Sequence, residues 1–164
     1  MKKKGCVYWI TGLSGSGKTT LGNALSKKIV DTVHIDGDII REKSSRSLGY
    51  DVKSRQQQIK RIQNQAKKFY DLGKTVIVSA LYSNTYLLSQ NRIFFENYIE
   101  IYLKVSIKKL IERDTKGLYS KFIEGQMADV VGMDIEWIEP QNPDFIFDNN
   151  NFQNCSNMVR KILG

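Results

Sequence analysis

A chain of 164 residues makes about one domain, and its 2 cysteines, Cys6 and Cys155, lie far apart without metal-ligand spacing, which excludes a disulfide framework and argues against zinc. Hydrophobic residues at 41% and charged residues at 26% exclude wholesale disorder, and no stretch reaches the ~18 apolar residues that span a membrane. A net charge of +8, spread along the chain, favours anionic ligands such as nucleotides; with no recognisable nucleic-acid module beside it, most of the excess reads as solvated surface.

The chain opens MKKKGCVYWITGL, whose lysines and short apolar run mimic a signal peptide. That run passes directly into a glycine-rich phosphate motif that cleavage would destroy, so a cytoplasmic protein is expected. CVYWIT (6–11), TVHI (32–35), TVIVSAL (75–81), YIEIYLKV (98–105) and DFIFD (144–148) read as strands, being brief and rich in β-branched or aromatic residues. Helical spacing of apolar residues covers 18–30, roughly 53–72, 86–97 and 106–114, and a last helix, NFQNCSNMVRKIL (151–163), closes the chain. Strand alternating with helix predicts an α/β domain over 1–164, with a mainly parallel five-stranded sheet between two helical layers. Residues 114–141, approximately, break the alternation and read as a mobile lid.

GLSGSGKT, Gly12 to Thr19, matches the phosphate-loop pattern G-x-x-x-x-G-K-[ST] in full, after a strand and at the opening of a helix. The glycines let backbone N–H groups turn inward on phosphates, and the helix N-terminus adds its positive end. Gly12, Ser14, Gly15, Ser16, Gly17, Lys18, Thr19 and Thr20 are therefore the expected ATP-binding residues, with Lys18 reaching the β- and γ-phosphates and Thr19 binding Mg²⁺. A bare strand-to-helix glycine turn would need neither the lysine nor the threonine. The Asn/Thr-Lys-x-Asp element of guanine-reading switches is missing, because Thr115-Lys116 runs on into Gly117-Leu118. The acids cluster instead in HIDGDIIR (34–41). Asp36 and Asp38 stand there across the phosphates from Lys18, where a carboxylate can orient an acceptor hydroxyl, take its proton or hold a Mg²⁺-bound water. An acidic loop capping the next helix explains the same spacing equally well.

HIDGDIIR, LGY (48–50), SRQQQIKR (54–61), ERDTKGLY (112–119), VVGMD (130–134) and the Glu139-Pro140 pair together resemble adenylyl-sulfate kinases, over about residues 7 to 148. Those enzymes move the γ-phosphate of ATP to the ribose 3′-hydroxyl of adenosine 5′-phosphosulfate on a P-loop nucleotide-kinase fold. The resemblance implies ATP and Mg²⁺ as cofactors and a small nucleotide acceptor as partner, and, since the family commonly dimerises, a homodimer. It makes Asp38 the base or the metal-linked acid together with Thr19, and Asp36 its support. Arg41 and Arg55 would grip the acceptor's 5′ anions, work suited to forked guanidinium donors. Tyr50 would stack on the acceptor base and Arg113 on the ATP base. Lys116, Gly117 and Leu118 would belong to the lid, with Lys116 also neutralising the transferring group.

The departures from the family gather on the acceptor side. An asparagine of the family is Gln58 here, the Ile-Ser-Pro-Tyr-Arg segment is Leu81-Tyr82-Ser83-Asn84-Thr85, a sandwiching lid phenylalanine is Val130, and a lid arginine is Ile123. Losing one ring weakens stacking on a flat purine by about 1 kcal/mol or more. The expected acceptor is therefore something other than adenosine phosphosulfate. Cytidine diphosphoramidate, used by a branch resembling this family in bacterial capsule phosphoramidate synthesis, fits a smaller base and an altered tail. Two alternatives stand beside it: a true adenylyl-sulfate kinase of sulfate assimilation, and a non-catalytic P-loop protein binding nucleotides or RNA. His34 reads as an ordinary strand residue, Trp9 and Trp137 as core or lid packing, and the lysines at 2–4 and 27–28 as surface charge.

Overall fold

The computed structural model describes residues 5–44, 48–81 and 84–164; the lysines at 2–4, and Tyr82 and Ser83 of the altered segment, lie outside the described residues. Five parallel strands, β1 (Cys6–Thr11), β2 (Thr32–Asp36), β3 (Thr75–Ser79), β4 (Tyr98–Lys104) and β5 (Phe145–Asp148), form one sheet in the order β2-β3-β1-β4-β5. Seven helices among the described residues connect and cover them: α1 (Lys18–Ser26), α2 (Gly37–Lys43), α3 (Val52–Asp71), α4 (Thr85–Phe94), α5 (Ile107–Arg113), α6 (Leu118–Ile123) and α7 (Cys155–Leu163).

Strand alternation sends successive side chains to opposite layers. Val7 and Trp9 of β1 and Val76 and Val78 of β3 meet Ile59, Ile62, Ala66 and Tyr70 of α3 and Leu87 and Leu88 of α4. Ile10, Ile77, Ile101 and Leu103 point the other way, onto Leu21 and Leu25 of α1 and Met158, Val159 and Ile162 of α7. Each fully buried aliphatic or aromatic side chain of this kind contributes roughly 1.5–3 kcal/mol, which is why both faces of the sheet must be covered. A third, smaller cluster joins Leu13 of the phosphate loop to Val105, Leu110, Tyr119, Val130 and Val131. None of the helices is long and apolar enough to cross a membrane among the described residues.

The sheet is wholly parallel rather than mainly so. Helix α1 stops at Ser26, short of residue 30, and α7 starts at Cys155, where Asn154 caps it by accepting from the Ser156 amide. Two helices that apolar spacing did not announce are α2, which buries none of its residues, and α6, which buries only Tyr119. Both are too short, at seven and six residues, for a helical period to be read. The segment expected to be a lid, 114–141, is a short helix followed by an irregular return, pinned by the third apolar cluster.

Because β1 lies between β3 and β4, the strand order reverses at its carboxyl end, which is where ligands bind in open parallel sheets. The phosphate loop leaves β1 there, with Asp36 and Ser79 paired in register at the ends of β2 and β3 beside it.

Candidate active site

The loop from Gly12 to Gly17 wraps the head of α1. Gly17 caps that helix at φ 101°, a left-handed conformation open to glycine, and a Cβ there would stand 3.0 Å from Asn149 Nδ2. That amide nitrogen donates to the Ser16 carbonyl at 2.8 Å, so the loop after β5 holds the cradle from outside. The Ser16 hydroxyl is buried without a protein partner, as expected of a group facing a bound phosphate. Lys18 Nζ donates to the Leu13 carbonyl at 2.8 Å, folded back across the loop. Gly15 has a positive φ, the Ser14 carbonyl faces the root of the lid, and Thr20 is exposed on the first turn of α1. The cradle therefore fits the phosphates of ATP.

Burial pushes the Lys18 pKa down to about 8, with Lys116 acting in the same sense and Asp38 and Asp36 opposing. A bound polyphosphate favours the ammonium, so nucleotide binding should take up a proton near that pH. Affinity for MgATP should hold steady below pH about 8 and weaken above it, by up to about tenfold per pH unit. Calorimetry at pH 8 in buffers of different ionisation enthalpy checks this: the apparent binding enthalpy should track the buffer, and the dependence should vanish in Lys18→Ala.

The two carboxylates have separate partners. Asp36, only 7% exposed, accepts the Thr19 hydroxyl on Oδ2 at 2.5 Å and the amides of Asp38 and Ile39 on Oδ1 at 2.9 and 3.4 Å. It is at once the cap of α2 and the carboxylate seated against Thr19, the residue expected to bind metal. The structure thus places Asp36, not Asp38, beside Thr19. Asp38, one position into α2, faces the lid and pairs with Lys116. Burial works against its carboxylate, but the hydrogen bond and charge of Lys116, with Lys18 and Arg41, outweigh it and hold the pKa below the usual carboxylate range.

The RDTKGLY segment bridges both sides of the cleft. Arg113 donates to the carbonyls of Asn149 and Asn150 at 2.5 and 2.7 Å, and its guanidinium lies 3.8 Å over the Phe152 ring. Asp114 accepts the amides of Tyr119 and Ser120, which folds the turn so that Lys116 reaches Asp38. Gly117 caps α6, Leu118 begins it, and the Tyr119 hydroxyl donates to the Ser14 carbonyl at 2.8 Å. Asn149 and Phe152 were not singled out from sequence; the polar run DNNNF directly after a parallel strand was the available signal.

On the other side, Arg41 donates to the carbonyls of Leu48 and Gly49 at 3.0 and 2.7 Å. Arg41 and Arg55 both lie against Tyr50, with guanidinium carbons 4.5 and 5.6 Å from the ring centroid, so anion-binding groups and a stacking surface share one patch. Arg55 also donates to the Asp129 carbonyl of the lid at 2.7 Å, while its Nε is buried without a partner. Gln58, 5% exposed, donates to the Gly37 carbonyl at 3.0 Å and leaves Oε1 unpartnered. Val130, 1% exposed, is buried in the cluster under the lid, and Ile123 faces solvent.

The family model described as adenylylsulphate kinase matches residues 4–148. A cytidine diphosphoramidate kinase of Campylobacter jejuni is 37% identical over 170 residues, covering 99% of this chain and 97% of its own length. An adenylyl-sulfate kinase of Oceanobacillus iheyensis is 34% identical over 168 residues, covering 98% of this chain and 83% of its own. The solved structure of a Mycobacterium tuberculosis APS kinase in complex with AMPPNP and APS superposes with a TM-score of 0.87 at 25% identity, covering 98% of this chain and 96% of that one.

Proposed function

The chain belongs to the adenylylsulphate kinase family and is a kinase acting on a hydroxyl acceptor, and on that premise we propose that it phosphorylates the ribose 3′-hydroxyl of cytidine diphosphoramidate. The observation that carries this acceptor is the buried Val130: where the family sets a second ring, this chain puts an aliphatic side chain into the lid core, leaving Tyr50 as the stacking surface. A single ring suits a small pyrimidine better than a purine. The relative matched along nearly all of its length acts, by its name, on that acceptor. Adenosine phosphosulfate is the second reading, favoured by the retained Arg41, Tyr50 and Arg55 and by the adenylyl-sulfate kinases among the relatives.

In this reading the phosphate loop and Lys18 hold the ATP phosphates, with Arg113 and Phe152 beside the ATP base. Thr19 and Asp36 would hold Mg²⁺, which when bound neutralises phosphate charge. Asp38 orients the 3′-hydroxyl and takes its proton as that oxygen bonds to the γ-phosphorus and the bond to the ADP oxygen breaks. For that, Lys116 must leave Asp38 for the transferring phosphoryl group. Arg41 and Arg55 face the acceptor's anionic tail.

Release of ADP from ATP should be measured with adenosine phosphosulfate, cytidine diphosphoramidate, CDP and CMP, with phosphorus spectra locating the new phosphate. Cytidine diphosphoramidate should be preferred; a strong preference for adenosine phosphosulfate overturns the proposal. Tyr50→Ala should raise the preferred acceptor's KM about tenfold while ATP affinity stays unchanged; equal losses for both nucleotides would contradict this division of the site.

A further inference from the structure

His34 is the only histidine of the chain and has no part in the steps above. Yet it is held more closely than an ordinary strand residue. Residues two apart on a strand share a face about 6.6 Å apart, and residues four apart on a helix stand about 6 Å apart, so one pair can be matched to the other. On β2 that pair is His34 and Asp36; on α1 it is Asn23 and Thr19. Asp36 takes the Thr19 hydroxyl at 2.5 Å, and His34 Nδ1 meets the Asn23 side-chain amide at 3.0 Å. A third link runs from His34 Nε2 to Ser79 Oγ at 2.9 Å and from the Ser79 hydroxyl to the Lys18 carbonyl at 3.1 Å. Since that hydroxyl spends its hydrogen on Lys18, the proton between ring and serine sits on Nε2, and Nδ1 accepts from the Asn23 amide with its Nδ2 turned to the ring, the amide's oxygen and nitrogen being exchangeable by a flip.

The ring has a slot made for it. A Cβ on Gly22 would stand 2.4 Å from His34 Nε2 and 2.6 Å from Ser79 Oγ, so a side chain larger than hydrogen would push α1 away from β2 and β3. A rigid imidazole with a nitrogen at each end bridges the helix side chain and the strand hydroxyl at once.

We infer that His34, with Asn23 and Ser79, is a positioning residue that sets the register of the phosphate-binding helix on β2 and thereby seats Thr19 against Asp36 for the metal–nucleotide complex. This rests on ATP-dependent phosphoryl transfer by the family and not on the acceptor proposed above.

The test is calorimetric binding of ADP to the full chain, with and without Mg²⁺, needing no acceptor. Two hydrogen bonds support the register, so His34→Ala should weaken MgADP about tenfold and metal-free ADP at most about twofold. Ser79→Ala, which keeps the ring and removes one link, should show the same split at about threefold. His34→Gln, whose amide can still donate to Ser79, should recover part of the loss and serves should the alanine variant not fold. In turnover, KM for MgATP should rise while kcat at saturation stays within about twofold. Equal weakening of MgADP and metal-free ADP, or unchanged binding of both with only less active protein, would overturn the inference. A wild-type chain that bound no ADP would instead sink the nucleotide-kinase reading itself.

Discussion

Replacing Lys18 with alanine should lower kcat by about 10³-fold while the protein becomes no less stable. In the proposed function the ammonium would face the phosphates between which charge shifts in the transition state, and a missing preorganised donor of this kind costs about 3–4 kcal/mol. Stability moves in the other direction. The folded-state pKa of about 8 lies below the ordinary 10.5, so the native chain binds fewer protons than the unfolded chain between those values. Lys18 therefore costs stability in full below pH about 8, and that cost is relieved as pH rises toward 10.5. At pH 7 the thermal midpoint of the variant should equal or exceed that of the parent, and the difference should shrink as pH rises through this window. A variant that lost activity together with several degrees of midpoint would place Lys18 in the fold rather than in the chemistry.

Asp38→Asn should lower kcat by about 10²–10⁴-fold with little change in MgATP affinity. The substitution keeps shape and volume but removes the charge that, in the proposed function, orients the acceptor hydroxyl and receives its proton. It also leaves Lys116 without its carboxylate partner, so the unliganded lid loses a link to α2. Burial raises the Asp38 pKa, but Lys116, Lys18 and Arg41 together outweigh it and hold it below the usual carboxylate range, so the carboxylate is ionised at neutral pH in the unliganded chain. The parent's rate should accordingly hold through neutral pH and fall only on acidification, whereas the residual rate of the variant should lack that acid limb. Rates at saturating ATP and acceptor measure the first effect, and kcat/KM for the acceptor across pH, which reports the state with Lys116 still on Asp38, measures the second; a near-normal rate for Asp38→Asn would remove Asp38 from the mechanism.

Much of this site could be read before any coordinates. The five strands were legible because each is a short run of β-branched or aromatic residues, most deeply buried in the central β1, β3 and β4, and the phosphate loop because a glycine turn alone needs neither Lys18 nor Thr19. Helices α2 and α6 left no such trace, since runs of seven and six residues are too short to show a helical period: the Asp36 cap holds α2, and α6 packs Leu118, Tyr119 and Phe122 into the third apolar cluster. The acid pair of HIDGDIIR was visible, but its division of labour was not. Sequence spacing leaves Asp36 and Asp38 interchangeable near Thr19; the cap of α2 assigns Asp36 to Thr19 and turns Asp38 toward the lid.

The contacts that complete the cleft join residues far apart in the chain. Arg113 against Asn149 and Phe152, Arg55 against Asp129, and His34 between Asn23 and Ser79 are products of the parallel sheet and its crossovers. Tertiary packing likewise decides that Val130 belongs to the lid core, a fate its place in the motif does not reveal. The sequence by itself determined the α/β fold, the phosphate cradle and the kinase family, because local periodicity and contiguous motifs encode them. Only the tertiary structure decided which carboxylate meets Thr19, which meets Lys116, and what braces the nucleotide-binding helix, because those choices depend on distances between elements that the chain brings together only on folding.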